Sequence, residues 1–277
     1  MHWQTTRFDL DLARVQVMGI VNLTPDSFSD GGQFADAAAA RLQCEQWVAE
    51  GADILDLGGE SSRPGAQAVS VQEELDRVMP VLEAALKLGV PISIDTSKPE
   101  VMRAGLALGA DIVNDIGALR APGAAEAVQA HPRCGICLMH MRGEPSSMQV
   151  QPQYDGDVVV EVSTFLGDRL AALMAKGIAT ERIVLDPGIG FGKSVEHNLL
   201  LLKRQKELLA LGRPLLLGWS RKSTLGAITG RAVTQRLAAS LAAALAAIQN
   251  GARIVRVHDV AATVDALKVW RSVGLCQ

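Results

Sequence analysis

Residues 92–115 read ISIDTSKPEVMRAGLALGADIVND. The stretch opens on a short, mostly apolar run at 92–95 and continues into a helix-like segment at 99–108. Gly109 follows at once, and a second apolar run occupies 111–114. Short apolar runs of four or five residues suit strands buried on both faces, as in parallel sheets. A glycine directly after a helical segment fits the C′ position, where a left-handed backbone is needed. The stretch therefore reads as strand, helix, strand.

The same unit recurs outward in both directions. Strand-like runs lie at 17–21, 53–57, 92–95, 111–114, 136–139, 183–186, 215–218 and 254–257. Helix-like segments lie at 35–50, 71–88, 99–108, 122–130, 158–176, 195–211, 223–250 and 261–273. Eight units in strict alternation, with no break in composition, predict one α/β domain over 1–277. Its expected architecture is a (β/α)8 TIM barrel of eight parallel strands. A doubly wound open sheet is the alternative. The Gly-x-Gly-x-x-Gly turn it might carry after the first strand is absent, and that strand runs into Asn22-Leu23-Thr24-Pro25.

The 277 residues are 48% apolar and 21% charged, with a net charge of −3, which describes a globular chain. Such a balance argues against a nucleic-acid partner or an anionic membrane surface. The N-terminus has no signal-like apolar run. The longest largely apolar stretch, 237–248, is too short to span a bilayer and reads as a buried helix. A cytoplasmic location is expected. Cys134 and Cys137 form one C-x-x-C inside an apolar run, and no second pair completes a zinc site, so the cysteines read as buried thiols.

Barrel active sites lie at the C-terminal ends of the strands. Here those ends carry Asn22, Asp56, Asp95, Asn114-Asp115, His140, Asp186, Ser220-Arg221-Lys222-Ser223, Arg256 and His258. Each alone could be a helix cap or an Asx turn. Together they fall on one rim. Asp95, Asn114 and Asp186 offer carboxylate, amide and carboxylate to the N–H edge of a heterocycle. Arg256 and His258 stand two apart and so share a strand face. With Lys222, and with Arg221 at a helix start, they suggest a phosphate or pyrophosphate site.

The glycine-rich segment 188–194 lacks Walker A spacing and reads as a flexible, backbone-exposing rim loop. Phe191 in it offers an apolar wall. Long polar loops at 24–32 (with Phe28) and 58–68 (with Arg63) read as lids.

Several of these strings resemble the dihydropteroate synthases of folate biosynthesis, a family of pterin-binding barrels. They include MGIVNLTPDSFSDGG (18–32), GGESSRPG (58–65), IDTSKPE (94–100), LMHM (138–141), DPGIGFGK (186–193), SRKS (220–223) and IVRVHDV (254–260). The resemblance runs in order along almost the whole chain. It implies a (β/α)8 homodimer that joins (7,8-dihydropterin-6-yl)methyl diphosphate to 4-aminobenzoate, giving 7,8-dihydropteroate and pyrophosphate with Mg2+. The family is also the target of sulfonamide analogues of the amine.

Carried over motif by motif, the resemblance puts Asn22 on the metal. Asp95, Asn114, Asp186 and Lys222 hold the pterin, with Met139 against its ring. Arg256 and His258 hold the pyrophosphate. Ser62, Arg63, Pro64, Phe191 and Ser223 line the aminobenzoate site, Ser62 also reaching the pterin diphosphate, and Phe28 closes over it with the two loops. Asp95, Lys222, Arg256 and His258 are the expected catalytic groups.

Ser62 stands where the family often has Thr, Trp219 replaces a smaller residue, and Gly117 and Arg120 vary the loop after Asn114. None of these removes a functional group. Three rivals stand on the residues alone, one of them a non-catalytic pterin-binding paralogue, against which the intact polar rim groups argue. A pterin-dependent methyl-transfer domain would not need 220–223 with Arg256 and His258. A Schiff-base aldolase would need a desolvated Lys222.

Overall fold

The eight apolar runs form eight parallel strands that close into a barrel. The computed structural model describes residues 1–24, 32–61, 65–144, 147–150 and 152–274. Two short strands come first, β1 (His2–Gln4) and β2 (Asp9–Asp11). The barrel strands are β3 (Gln16–Asn22), β4 (Ile54–Gly58), β5 (Ile92–Asp95), β6 (Ile112–Asp115), β7 (Gly135–Met139), β8 (Ile183–Asp186), β9 (Leu215–Leu217) and β10 (Ala252–Val257). They are ordered β3 to β10 around the ring, with β10 pairing back to β3.

The helices are α1 (Gly32–Ala49), α2 (Val71–Ala85), α3 (Pro99–Leu108), α4 (Ala124–Gln129), α5 (Val158–Ala175), α6 (Val195–Lys203), α7 (Ser223–Thr229), α8 (Leu237–Gln249) and α9 (Val260–Ser272). In the stretch that opened the reading, Pro99 starts α3, where its missing N–H does no harm, and Gly109 ends it at φ 119°.

Strand alternation divides the side chains into two sets. Val17, Val21, Leu55, Leu57, Ile94, Val113, Ile136, Leu138, Leu185 and Val255 join the large apolar layer shared with the helices. The other parity faces the barrel axis. Its lower layer is apolar, with Met18, Ile54, Ile112, Cys137, Val184, Leu216 and Ile254 in one cluster. One step of two residues further along each strand lie Ile20, Asp56, Asn114, Met139, Asp186, Gly218 and Arg256.

The β1–β2 hairpin was not expected from the sequence. It closes the bottom of the barrel. Trp3 is fully buried in the interior cluster with Leu12, and its indole N–H donates to the Arg182 carbonyl at 2.9 Å. Arg7 pairs with buried Asp111 at 2.6 Å, and Asp111 also accepts the Ile92 N–H, so the hairpin is tied to the start of β5.

The segment 223–250 is two helices rather than one. Gly230, at φ 69°, ends α7, and a 3-10 turn at Val233–Gln235 leads into α8. The stretch 237–248 is not buried all round either. Ser240, Ala243, Ala244, Ala247 and Ile248 are buried, whereas Leu237 is 42% exposed. Cys44, Cys134 and Cys137 are buried free thiols, as expected; Cys276 lies outside the described residues.

Candidate active site

A cavity of about 450 Å³ opens at the C-terminal mouth of the barrel. Asn22, Asp95, Asn114, Met139, Asp186, Phe191, Lys222, Ser223, Arg256 and His258 all line it. Residues far apart in sequence thus converge because strand ends and their following loops meet on one rim. Phe28, Ser62, Arg63 and Pro64, also expected in the site, lie outside the described residues, as does most of the 24–32 loop.

Arg256 organises the polar layer. Its Nε donates to Asp56 Oδ2 at 2.6 Å and its Nη2 to Asp95 Oδ2 at 2.7 Å. Asn114 Nδ2 donates to the same Asp56 oxygen at 3.1 Å. Asp56 is fully buried. It was legible as a rim residue but not as the hub of this group. The available signal was its step of two from Ile54, which puts it on the interior face.

Burial pushes the Asp95 carboxyl up to about 7; Arg256 pulls it back and the Asp56 carboxylate adds to the rise. Burial also raises Asp186, against the Gly188 N–H that donates to its Oδ1 at 2.7 Å and against the charge of Lys222. The half-buried Lys222 ammonium is drawn down to about 8 by desolvation, with Asp186 holding its proton on. The Arg256 guanidinium stays firmly protonated, its desolvation outweighed by Asp56 and Asp95.

The residue just past the same end of β10 is His258. Its backbone N–H donates to Ser220 Oγ at 3.1 Å, and its Nδ1 lies 3.0 Å from the same oxygen. Arg221 is committed elsewhere: at φ 59° it turns to pair with Asp259.

Two rim residues take the bland reading. Asp115 caps its own loop, accepting from the Gly117 and Leu119 N–H groups at 2.7 Å each. His140 is buried beside Lys193, outside the cavity lining, and burial with the Lys193 charge lowers its ring to about 2.

The 188–194 segment is pinned rather than flexible and backbone-exposing. Gly188 and Gly192 are buried. Gly190 N–H donates to Asn198 Oδ1 at 2.9 Å, and the Gln149 amide donates to the Gly190 carbonyl. A Cβ on Gly188 would stand 1.9 Å from the His140 carbonyl oxygen, so glycine here permits close packing of two loops. Phe191 holds its place on the wall with Lys222 Nζ 4.1 Å above its ring.

This fold and cavity define a class: a barrel enzyme whose mouth is built for a polar heterocycle and an attached anion. The family model described as "pterin binding enzyme" matches residues 18–258. A dihydropteroate synthase of Neisseria meningitidis serogroup B is 53% identical, over 99% of this chain and 98% of its own length. A solved Xanthomonas albilineans dihydropteroate synthase with 4-aminobenzoic acid has a TM-score of 0.91 and 52% identity, covering 96% of this chain and 95% of that one. A Burkholderia cenocepacia dihydropteroate synthase complexed with 7,8-dihydropteroate has a TM-score of 0.90 and 51% identity, covering 99% and 96%. The chain belongs to the dihydropteroate synthases, within the pterin binding enzymes.

Proposed function

We propose that this chain condenses (7,8-dihydropterin-6-yl)methyl diphosphate with 4-aminobenzoate to give 7,8-dihydropteroate and pyrophosphate. The observation that carries the reading is the gathering of Asp95, Asn114, Asp186 and Lys222 with Arg256 and His258 around one cavity. The carboxylates and the amide take the N–H edge of the pterin. Met139 and Phe191 supply apolar walls, and Ser223 lies on the aminobenzoate side.

The C–O bond to the diphosphate breaks, a C–N bond to the arylamine forms, and the amine gives up a proton. The amine lone pair needs no strong base. Arg256, His258 and Lys222 offset the charge that grows on the departing oxygen. Preorganised donors of this kind contribute roughly 3–4 kcal/mol each. Asp95 and Asp186 lie where their charge favours a cationic pterin methylene, which supports an SN1-like path. Positioning and exclusion of water account for the rest.

Mg2+ belongs to the same proposal. Among the described residues, no three His, Cys, Asp or Glu side chains form a metal cage. Asn22, half-buried on the cavity wall, offers one amide oxygen. That donor set suits an ion that takes most of its oxygens from phosphate and water. Bound there, Mg2+ would neutralise diphosphate charge.

A homodimer in the cytoplasm completes the reading. Exposed Ile228, Val233 and Leu237 around the α7–α8 turn support self-association, and no described helix is long and apolar enough to cross a membrane. The test is product chromatography after incubation with both substrates and Mg2+. Dihydropteroate that forms only when both are present is expected. Binding of the pterin without product would overturn the reading.

A further inference from the structure

Lys193 is 2% exposed; burial draws its ammonium down to about 7 with the Asp186 charge opposing, and among the described residues its hydrogen-bond partners are neutral groups. Its Nζ lies 2.9 Å from His140 Nδ1, 2.9 Å from the Gly188 carbonyl oxygen, 3.0 Å from that of Phe191 and 3.3 Å from that of His140. Among the described residues no carboxylate lies within ion-pair distance of it, and a buried amino group so placed is costly to keep charged. What it holds is a loop that cannot hold itself. Gly188, Gly190 and Gly192 all have positive φ, and the side chains among them on the cavity wall are Ile189, which is buried, and the more exposed Phe191. His140, on the other side of the ammonium, belongs to the end of β7, and its ring is fixed edge-on to Phe165 with centroids 4.9 Å apart.

We propose that Lys193 is a positioning residue that sets Phe191 in the aminobenzoate wall by tying the loop after β8 to the end of β7. It touches no substrate. It acts through the Phe191 carbonyl it grips and through the Gly188 carbonyl at the loop's start. The same loop runs along the Lys222 stem, since a Cβ on Gly190 would come 3.2 Å from Lys222 Cδ. A shift of the loop therefore reaches the ring first and the Lys222 stem second. This inference rests on the proposed function and assigns the amine subsite a support outside the cavity.

The test compares wild type, Lys193→Met, Lys193→Gln, Phe191→Ala and Lys193→Met/Phe191→Ala by steady-state kinetics and thermal melting. Lys193→Met is expected to raise KM for 4-aminobenzoate about tenfold, with a smaller change in KM for the pterin diphosphate, as for a lost supporting shell. Lys193→Gln, which keeps N–H donors, is expected to recover part of that loss. In the Phe191→Ala background, Lys193→Met is expected to add less than about twofold, because the two act in series.

A lowered melting temperature with unchanged KM values would overturn the proposal, as would independent, multiplicative effects. Failure of both Lys193 variants to fold would also overturn it, because the residue would then be a structural one. Wild type that forms no product would instead fail the function on which the proposal rests.

Discussion

Arg256 stands between Asp56 and Asp95, and that placement fixes the charge of the pterin side of the cavity. In the proposed reaction Asp95 favours a cationic methylene when it is ionised. Its carboxyl is raised to about 7, chiefly by burial, so the active form is lost as pH falls through that value. The log of kcat/KM for the pterin substrate should therefore fall on the acid side as pH drops through about 7, and fall again above about 8 as Lys222 loses its proton. Asp56→Asn removes a neighbouring negative charge that helps raise Asp95. The acid limb should then move to lower pH, and a limb left in place would contradict the assignment. Asp95, Asn114 and Asp186 were legible because each ends its strand run on a polar group. The Arg256–Asp56 contact was not, because it links strands about two hundred residues apart and only the closed ring brings them together.

Among the elements, the loop after β8 shows most clearly what sequence reading captures and what it leaves out. Its glycines were legible as a rim loop lacking Walker A spacing. Their packing was not, because nothing local announces that Lys193 turns inward or that a carbonyl of the β7 side passes within contact of Gly188 and Gly192. A Cβ on Gly192 would stand 2.2 Å from the Arg142 carbonyl oxygen, at φ 63°. Gly192→Ala should therefore lose at least about 1–2 kcal/mol from the left-handed backbone alone. That corresponds to a melting temperature lower by about 2 °C or more, checked by calorimetry. An unchanged melting temperature would mean that the two loops are not packed as described. The α7–α8 break escaped for a related reason. Gly226 and Gly230 sit in an otherwise helical, alanine-rich pattern, and an isolated glycine there reads equally as a tolerated interior residue or a stop.

Across the whole molecule, the barrel is apolar at one end and charged at the other, and the two ends do separate work. The eight strands were legible because burial on both faces leaves continuous apolar runs, whereas the β1–β2 hairpin has strands of three residues, too short to show a period. Trp3 is buried under the floor, far along the axis from the mouth. Trp3→Ala should cost about 3–5 kcal/mol of stability, as for other buried large-to-small changes. Both KM values should stay within about twofold of wild type, since none of the cavity-lining residues is touched. A large KM change would show that floor and mouth are coupled. In the proposed function the polar layer at the mouth performs the condensation. Its most direct test is dihydropteroate formation, with matching pyrophosphate, by wild type and by Asp95→Ala given Mg2+ and both substrates. Wild type should make the two products in equal amounts, and the variant should be slower by about a hundredfold or more, the scale of losing one preorganised electrostatic group. Turnover by Asp95→Ala at the wild-type rate would contradict the account.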